Sequence, residues 1–115
     1  MDMPQNVQEQ LNQFQQVQQQ AQSIAMQKQT VTLQINEAKK ALDELSKTDD
    51  DRDVYRTSGP LLIKTTKADS ESELKDNIEM LEIRQKTIEK QEKRIASRLE
   101  ELQESLQSAM NQMQQ

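Results

Sequence analysis

From Leu74 to Met113, apolar residues recur at alternating steps of four and three. The twelve positions are Leu74, Ile78, Leu81, Gln85, Ile88, Glu92, Ile95, Leu99, Leu102, Leu106, Ala109 and Met113, and ten of them are apolar. The residues between them are almost all charged or polar. Such a repeat is the a/d seam of a left-handed coiled coil, here sustained over more than five heptads. A helix of about forty residues is roughly 60 Å long at 1.5 Å per residue. A stripe only two residues wide in seven cannot rest on a globular core and needs a second helix of similar length.

The same chain supplies that helix. Val7, Leu11, Phe14, Val17, Ala21, Ile24, Lys28, Val31, Ile35, Ala38, Leu42 and Leu45 also step by threes and fours, with one irregularity between Leu11 and Val17. Composition alone marks the Gln-rich start as a disordered polar arm. Its periodicity and the good helix propensity of Gln predict instead one helix over 5–46, with the first two turns frayed. Two helices of similar length predict an antiparallel hairpin. Folding Leu45 onto Leu74 sets Leu42 against Ile78, Ile35 against Gln85, Ile24 against Ile95, Val17 against Leu102 and Phe14 against Leu106. In this register Lys28, the charged seam residue of the first helix, falls opposite Glu92, the charged seam residue of the second. Opposite charges in one layer disfavour slipped pairings, although Lys and Glu are common enough here to meet by coincidence.

Composition excludes several classes. With one Phe, one Tyr and no Trp in 115 residues, the chain cannot build an aromatic-rich core. A net charge of −5 argues against nucleic acid as the main partner. No apolar run exceeds three residues, so neither a signal peptide nor a membrane span is expected. The absence of Cys fits a reducing, cytoplasmic location. With no His or Cys, thiol and imidazole chemistry is excluded, and the single Gly rules out a Gly-rich phosphate loop. Asp49-Asp50-Asp51 lacks the spacing of a calcium loop and reads as a solvated charge run. No catalytic residue, metal site or cofactor is expected, and the chain reads as a non-enzyme.

Between the helices, residues 53–66 predict a β-hairpin. Val54-Tyr55-Arg56 and Leu61-Leu62-Ile63-Lys64-Thr65 flank a turn at Thr57-Ser58-Gly59-Pro60. Ser70 and Glu73 stand at capping-box spacing, so the second helix is expected over 70–114. Two strands are marginal alone, and Leu61, Leu62 and Ile63 point to both faces. With Val54 and Tyr55 they predict an oligomerisation surface that joins a sheet or barrel made with other subunits. At the opposite end the two termini meet. Met1, Met3, Val7, Leu11, Phe14 and Val17 lie there beside Leu102, Leu106, Met110 and Met113. Flexible, polarizable Met side chains suit surfaces that accept many partners, so a parted tip would offer apolar groups to an unfolded chain. Alternatively, these residues simply close the coiled coil.

The order helix, Val-Tyr-Arg-Thr-Ser-Gly-Pro-Leu-Leu-Ile-Lys hairpin (residues 54–64), helix resembles the β-class subunit of prefoldin. Residues 81–95, Leu-Glu-Ile-Arg-Gln-Lys-Thr-Ile-Glu-Lys-Gln-Glu-Lys-Arg-Ile, are similar to its archaeal second helix. The α-class subunit carries a second hairpin, for which this sequence has no room. The resemblance covers nearly the whole chain and implies a single prefoldin-like domain over 1–115. It implies a mainly α fold: an antiparallel two-helix coiled coil whose hairpin assembles into an intersubunit β-barrel. Two α-class and four β-class subunits would form a hexamer. The function implied is that of an ATP-independent holdase, which holds unfolded clients at the coiled-coil tips and passes them to a group II chaperonin. On that reading Val7, Leu11, Phe14, Val17, Leu102, Leu106, Met110 and Met113 are client contacts.

Two other classes stand beside it. A structural scaffold or tether predicts the same helices without effect on aggregating clients. An RNA-binding arm needs a basic stripe, yet Lys86, Lys90, Lys93, Arg94 and Arg98 are interleaved in sequence with Glu82, Glu89, Glu92 and Glu100.

Overall fold

The computed structural model describes residues 3–114. Four elements follow one another: α1 (Gln5–Ser46), β1 (Val54–Ser58), β2 (Leu61–Thr65) and α2 (Lys67–Met113). The chain forms two compact units, one of Met1–Gln29 with Thr87–Gln115 and the other of Thr30–Lys86.

In the Thr30–Lys86 unit the seam buries Val31, Ile35, Ala38 and Leu81 and half-buries Leu42, Leu45, Leu74 and Ile78. Two polar contacts run between the helices. The Gln85 amide donates to Thr32 Oγ1 at 3.0 Å, and Lys39 lies 3.5 Å from Glu82. As α1 positions rise, their α2 partners fall, which makes the pair antiparallel. Gln85, counted opposite Ile35 in the seam, thus finds a hydroxyl beside that position. A buried amide without such a partner would cost about 1–3 kcal/mol.

Helix α1 ends in tightened turns, with Lys47 N–H donating to Glu44 O and Thr48 N–H to Leu45 O. Its last carbonyls are met from the start of α2. Lys67 Nζ donates to Thr48 O at 2.7 Å and to Ser46 O at 3.4 Å, and reaches Asp50 Oδ1 at 3.1 Å. A cation at a helix C-terminus also suits the negative end of the helix dipole. This lysine side chain is only 16% exposed.

The hairpin is tighter than its sequence suggests. Ser58 and Leu61 pair directly, so the turn holds two residues, Gly59 and Pro60, rather than four. Gly59 has φ +57°. A positive φ followed by the fixed negative φ of proline is the pattern of a II′ turn, whose twist matches that of the strands. Helix α2 begins three residues before the Ser70 cap expected from sequence. Thr66 is the cap: its Oγ1 accepts from Asp69 N–H at 3.1 Å, and its carbonyl accepts from Ser70 N–H at 2.9 Å. Both Thr66 and Ser70 are competent caps, and Lys67 and Ala68 favour helix, so the helix runs back to the end of β2.

In the unit of Met1–Gln29 with Thr87–Gln115, α1 is helical from Gln5, and the Pro4 carbonyl accepts from both Val7 and Gln8 N–H. Proline, lacking an N–H, is well suited to a helix start. Val7, Ile88 and Leu102 are buried. Leu11, Phe14, Val17, Ala21, Ile24, Ile95, Leu99, Leu106 and Ala109 are half-buried, so the irregular step between Leu11 and Val17 keeps all three of its residues on the seam.

Candidate functional site

The candidate contacts at the terminal end divide into three sets. Val7 and Leu102 are 2% and 4% exposed and therefore out of reach while the helices stay together. Leu11, Phe14, Val17 and Leu106 are half-buried. Met110 and Met113 are 45% and 47% exposed, and Met3 is exposed as well. Met1 lies outside the described residues. Beside Val7, the Gln10 carboxamide oxygen is buried without a hydrogen-bond partner. That unpaired group weakens the closed end, where flanking glutamines offer no ion pairs.

Lys28 Nζ donates to Glu92 Oε1 at 3.0 Å. The hydrogen bond and charge of Glu92, with a smaller contribution from Glu89, hold the Lys28 ammonium above lysine's ordinary pKa, against a lesser opposing effect of burial. Both side chains keep more than a third of their surface in water. The layer is therefore a wet one at the seam's edge, and a slipped register costs less than stranding a fully buried charge would.

On the hairpin, register places Val54, Arg56, Ser58, Leu61, Ile63 and Thr65 on one face, and Tyr55, Thr57, Leu62 and Lys64 on the other. Tyr55, Leu61 and Leu62 are exposed, Leu62 most of all at 73%, and Ile63 is at 37%. Val54 alone among the five candidate assembly residues is half-buried. Arg56 is tied to Glu73 at 3.3 Å and Lys64 to Asp53 at 3.4 Å. A cleft of about 820 Å³ opens beside the strands, with Ala41, Leu45, Val54, Tyr55, Leu74 and Met80 on its walls. Met80 was invisible to seam counting because it lies off the stripe, on the outer side of α2. Of the Asp49–Asp51 run, Asp50 pairs with Lys67. Among the described residues, no group of three or more acidic side chains is arranged to hold a metal ion. No helix among the described residues is long and apolar enough to cross a membrane.

Residues 8–113 match the family described as prefoldin subunit. The chain belongs to the prefoldin family. It is 47% identical over 109 residues to the prefoldin subunit beta of Methanosarcina mazei, covering 95% of this chain and 93% of that protein. It is 48% identical over 114 residues to the prefoldin subunit beta of Methanobrevibacter smithii, covering 99% and 98%. The crystal structure of the prefoldin beta subunit from Thermococcus strain KS-1 superposes with a TM-score of 0.84 at 47% identity, covering 94% of this chain and 95% of that one. The prefoldin beta2 subunit of the same strain, 21% identical with a TM-score of 0.72, shares the fold. Two long helices joined by a single hairpin are thus the prefoldin beta fold, and the β-class resemblance of residues 54–64 and 81–95 holds.

Proposed function

We propose that this chain is an ATP-independent holdase subunit of a prefoldin chaperone. Its hairpin joins those of other subunits in an intersubunit β-barrel, with two α-class and four β-class chains in a cytoplasmic hexamer. Its helix ends hold unfolded polypeptide for delivery to a group II chaperonin. The observation that carries the reading is the pairing of apolar exposure at two separate places. Tyr55, Leu61 and Leu62 face water on strands too few to be stable alone, and Met110 and Met113 face water where the helices end. The first set supports assembly. The second supports capture by side chains that adapt to many sequences. Each arm supplies only weak apolar contacts, so affinity comes from several arms acting on one client. Glu100, Glu101 and Glu104 form an acidic outer surface suited to a basic patch on the chaperonin. Without His or Cys, the chain offers no Ser–His or Cys–His pair, and the role needs no cofactor.

Light scattering tests this directly. A denatured model client is diluted into the subunit together with an α-class partner, using either the full chain or one cut back to residues 18–101. Suppression by the full-length hexamer, lost on trimming while the hexamer stays intact by size, is the expected result. Equal suppression by both moves capture away from the tips. No suppression by either leaves a structural scaffold as the better account.

A further inference from the structure

The charges interleaved along α2 in sequence are sorted in space. Glu92 is bonded to Lys28, and Glu89, half-buried one turn earlier, adds its field to the same lysine. Glu92 is thereby directed to the seam side, and Glu89 is half-buried beside it. Lys90, Lys93 and Arg94 stand on the outer side, exposed, and none of the three forms an ion pair among the described residues. Helix α1 does not neutralise them. Between Gln5 and Gln27 it carries a single charge, Glu9.

Beside these cations runs a groove of about 470 Å³ between the helices. Its apolar floor is Ile24 and Ile95, its walls carry the amides of Gln20, Gln27 and Gln91, and Arg94 closes one side. Arg94 also lines a second recess with Lys93, Ser97 and the Arg98–Glu101 ion pair, so the Lys93–Arg94 cations and the groove form one continuous surface. We propose that the Ile24–Ile95 groove and the Lys90–Lys93–Arg94 edge together bind an extended acidic polypeptide segment that carries apolar side chains.

Each part of that ligand answers a part of the surface. Apolar side chains cover the isoleucine floor, and glutamine amides, which both donate and accept, meet a peptide backbone. Carboxylates meet the three unpaired cations. Nucleic acid fits less well. The positive stretch gives way at once to Glu100, Glu101 and Glu104, which repel a longer polyanion. The groove also has no aromatic side chain on which a base could stack.

Fluorescence polarisation of the full-length chain tests the assignment with labelled peptides of about twelve residues. Alternating Glu and Leu is the probe, with Lys/Leu, Glu/Ser and an oligo-uridine RNA as comparisons. The Glu/Leu peptide is expected to bind best, and its affinity to fall as salt rises from about 0.05 to 0.5 M. K90E/K93E/R94E should weaken it by about tenfold or more. K90Q/K93Q/R94Q should also weaken it, separating lost attraction from new repulsion. K75Q, which removes an exposed cation outside the groove, should leave it unchanged. Circular dichroism of each variant should match the parent, since the substituted side chains are exposed. Equal binding of the Lys/Leu peptide, unchanged affinity in both triple variants, or tighter binding of the RNA would each overturn the proposal.

Discussion

Replacing Leu61 and Leu62 by serine separates folding from assembly. Leu61 is 61% exposed and Leu62 73% exposed in the single chain. Fully burying a leucine is worth about 1.5–3 kcal/mol, so about 0.9–1.8 and 1.1–2.2 kcal/mol stay unrealised until another surface covers them. Together that is about 2–4 kcal/mol per subunit, or roughly 30-fold to 10³-fold in an association constant. Any serine hydroxyl buried without a partner adds to the loss. The folded chain gives up little, because surface substitutions of this kind usually change stability by within about 0.5 kcal/mol. Sedimentation velocity of Leu61→Ser/Leu62→Ser with an α-class partner should show dissociation at concentrations where the parent is assembled. Its helical signal should be unchanged. A variant that assembles like the parent would refute the assignment of this hairpin to assembly. So would one whose helices melt several degrees lower with assembly intact, since the leucines would then be supporting the chain itself.

Two further substitutions probe contacts inside the chain. In a double-mutant cycle of Lys28→Leu and Glu92→Leu, the double change should lower the melting temperature by less than the sum of the two single changes, and simple additivity would mean the pair is uncoupled. Because the Lys28 pKa is raised on folding, the contribution of the pair is fully present below about pH 10.5 and is lost as pH rises through the higher folded value. An alkaline stability profile should therefore fall for the parent and stay flatter for Lys28→Leu. Lys67→Met should remove the cation that holds the end of α1, a charged hydrogen-bond donor worth about 1.5–3 kcal/mol. Urea unfolding checks this, and a midpoint equal to the parent's would show that the Lys67 contacts contribute nothing.

Periodicity carries far in this chain because a coiled coil is a one-dimensional fold. Once the seam is counted, Lys28 and Glu92 fall at the same level, and they stand 3.0 Å apart. Off-seam contacts follow no such rule. Thr32 receives Gln85 because a hydroxyl happens to lie one position beyond Val31, and any polar neighbour would read equally well in sequence. Thr66 outcompetes Ser70 as a cap because strand β2 ends beside it, which is a tertiary fact. Lys67 reaches backbone carbonyls nineteen to twenty-one residues earlier, and nothing local to Lys67 announces that. The same holds for the hairpin turn. Thr57-Ser58-Gly59-Pro60 looks like a four-residue loop until the positive φ of Gly59 lets Ser58 and Leu61 pair.

On the proposed reading, one set of residues at the terminal end serves closure and capture together. Val7 and Leu102, nearly fully buried, oppose opening by about 1.5–3 kcal/mol each, the usual transfer cost of such side chains. The unpaired Gln10 oxygen works in the opposite direction, since opening rehydrates it. The exposed methionines are available without any opening. On the proposed reading, an unfolded client therefore meets Met110 and Met113 first. Only a client with enough apolar surface to replace the Val7 and Leu102 contacts gains by parting the helices. Closure then sets a threshold for capture. Substituting Leu102 with alanine lowers that threshold and enlarges the exposed surface, so it should broaden client suppression while weakening this unit of the fold. Light scattering at equal chaperone concentration distinguishes this from a purely structural seam, for which Leu102→Ala could only reduce suppression.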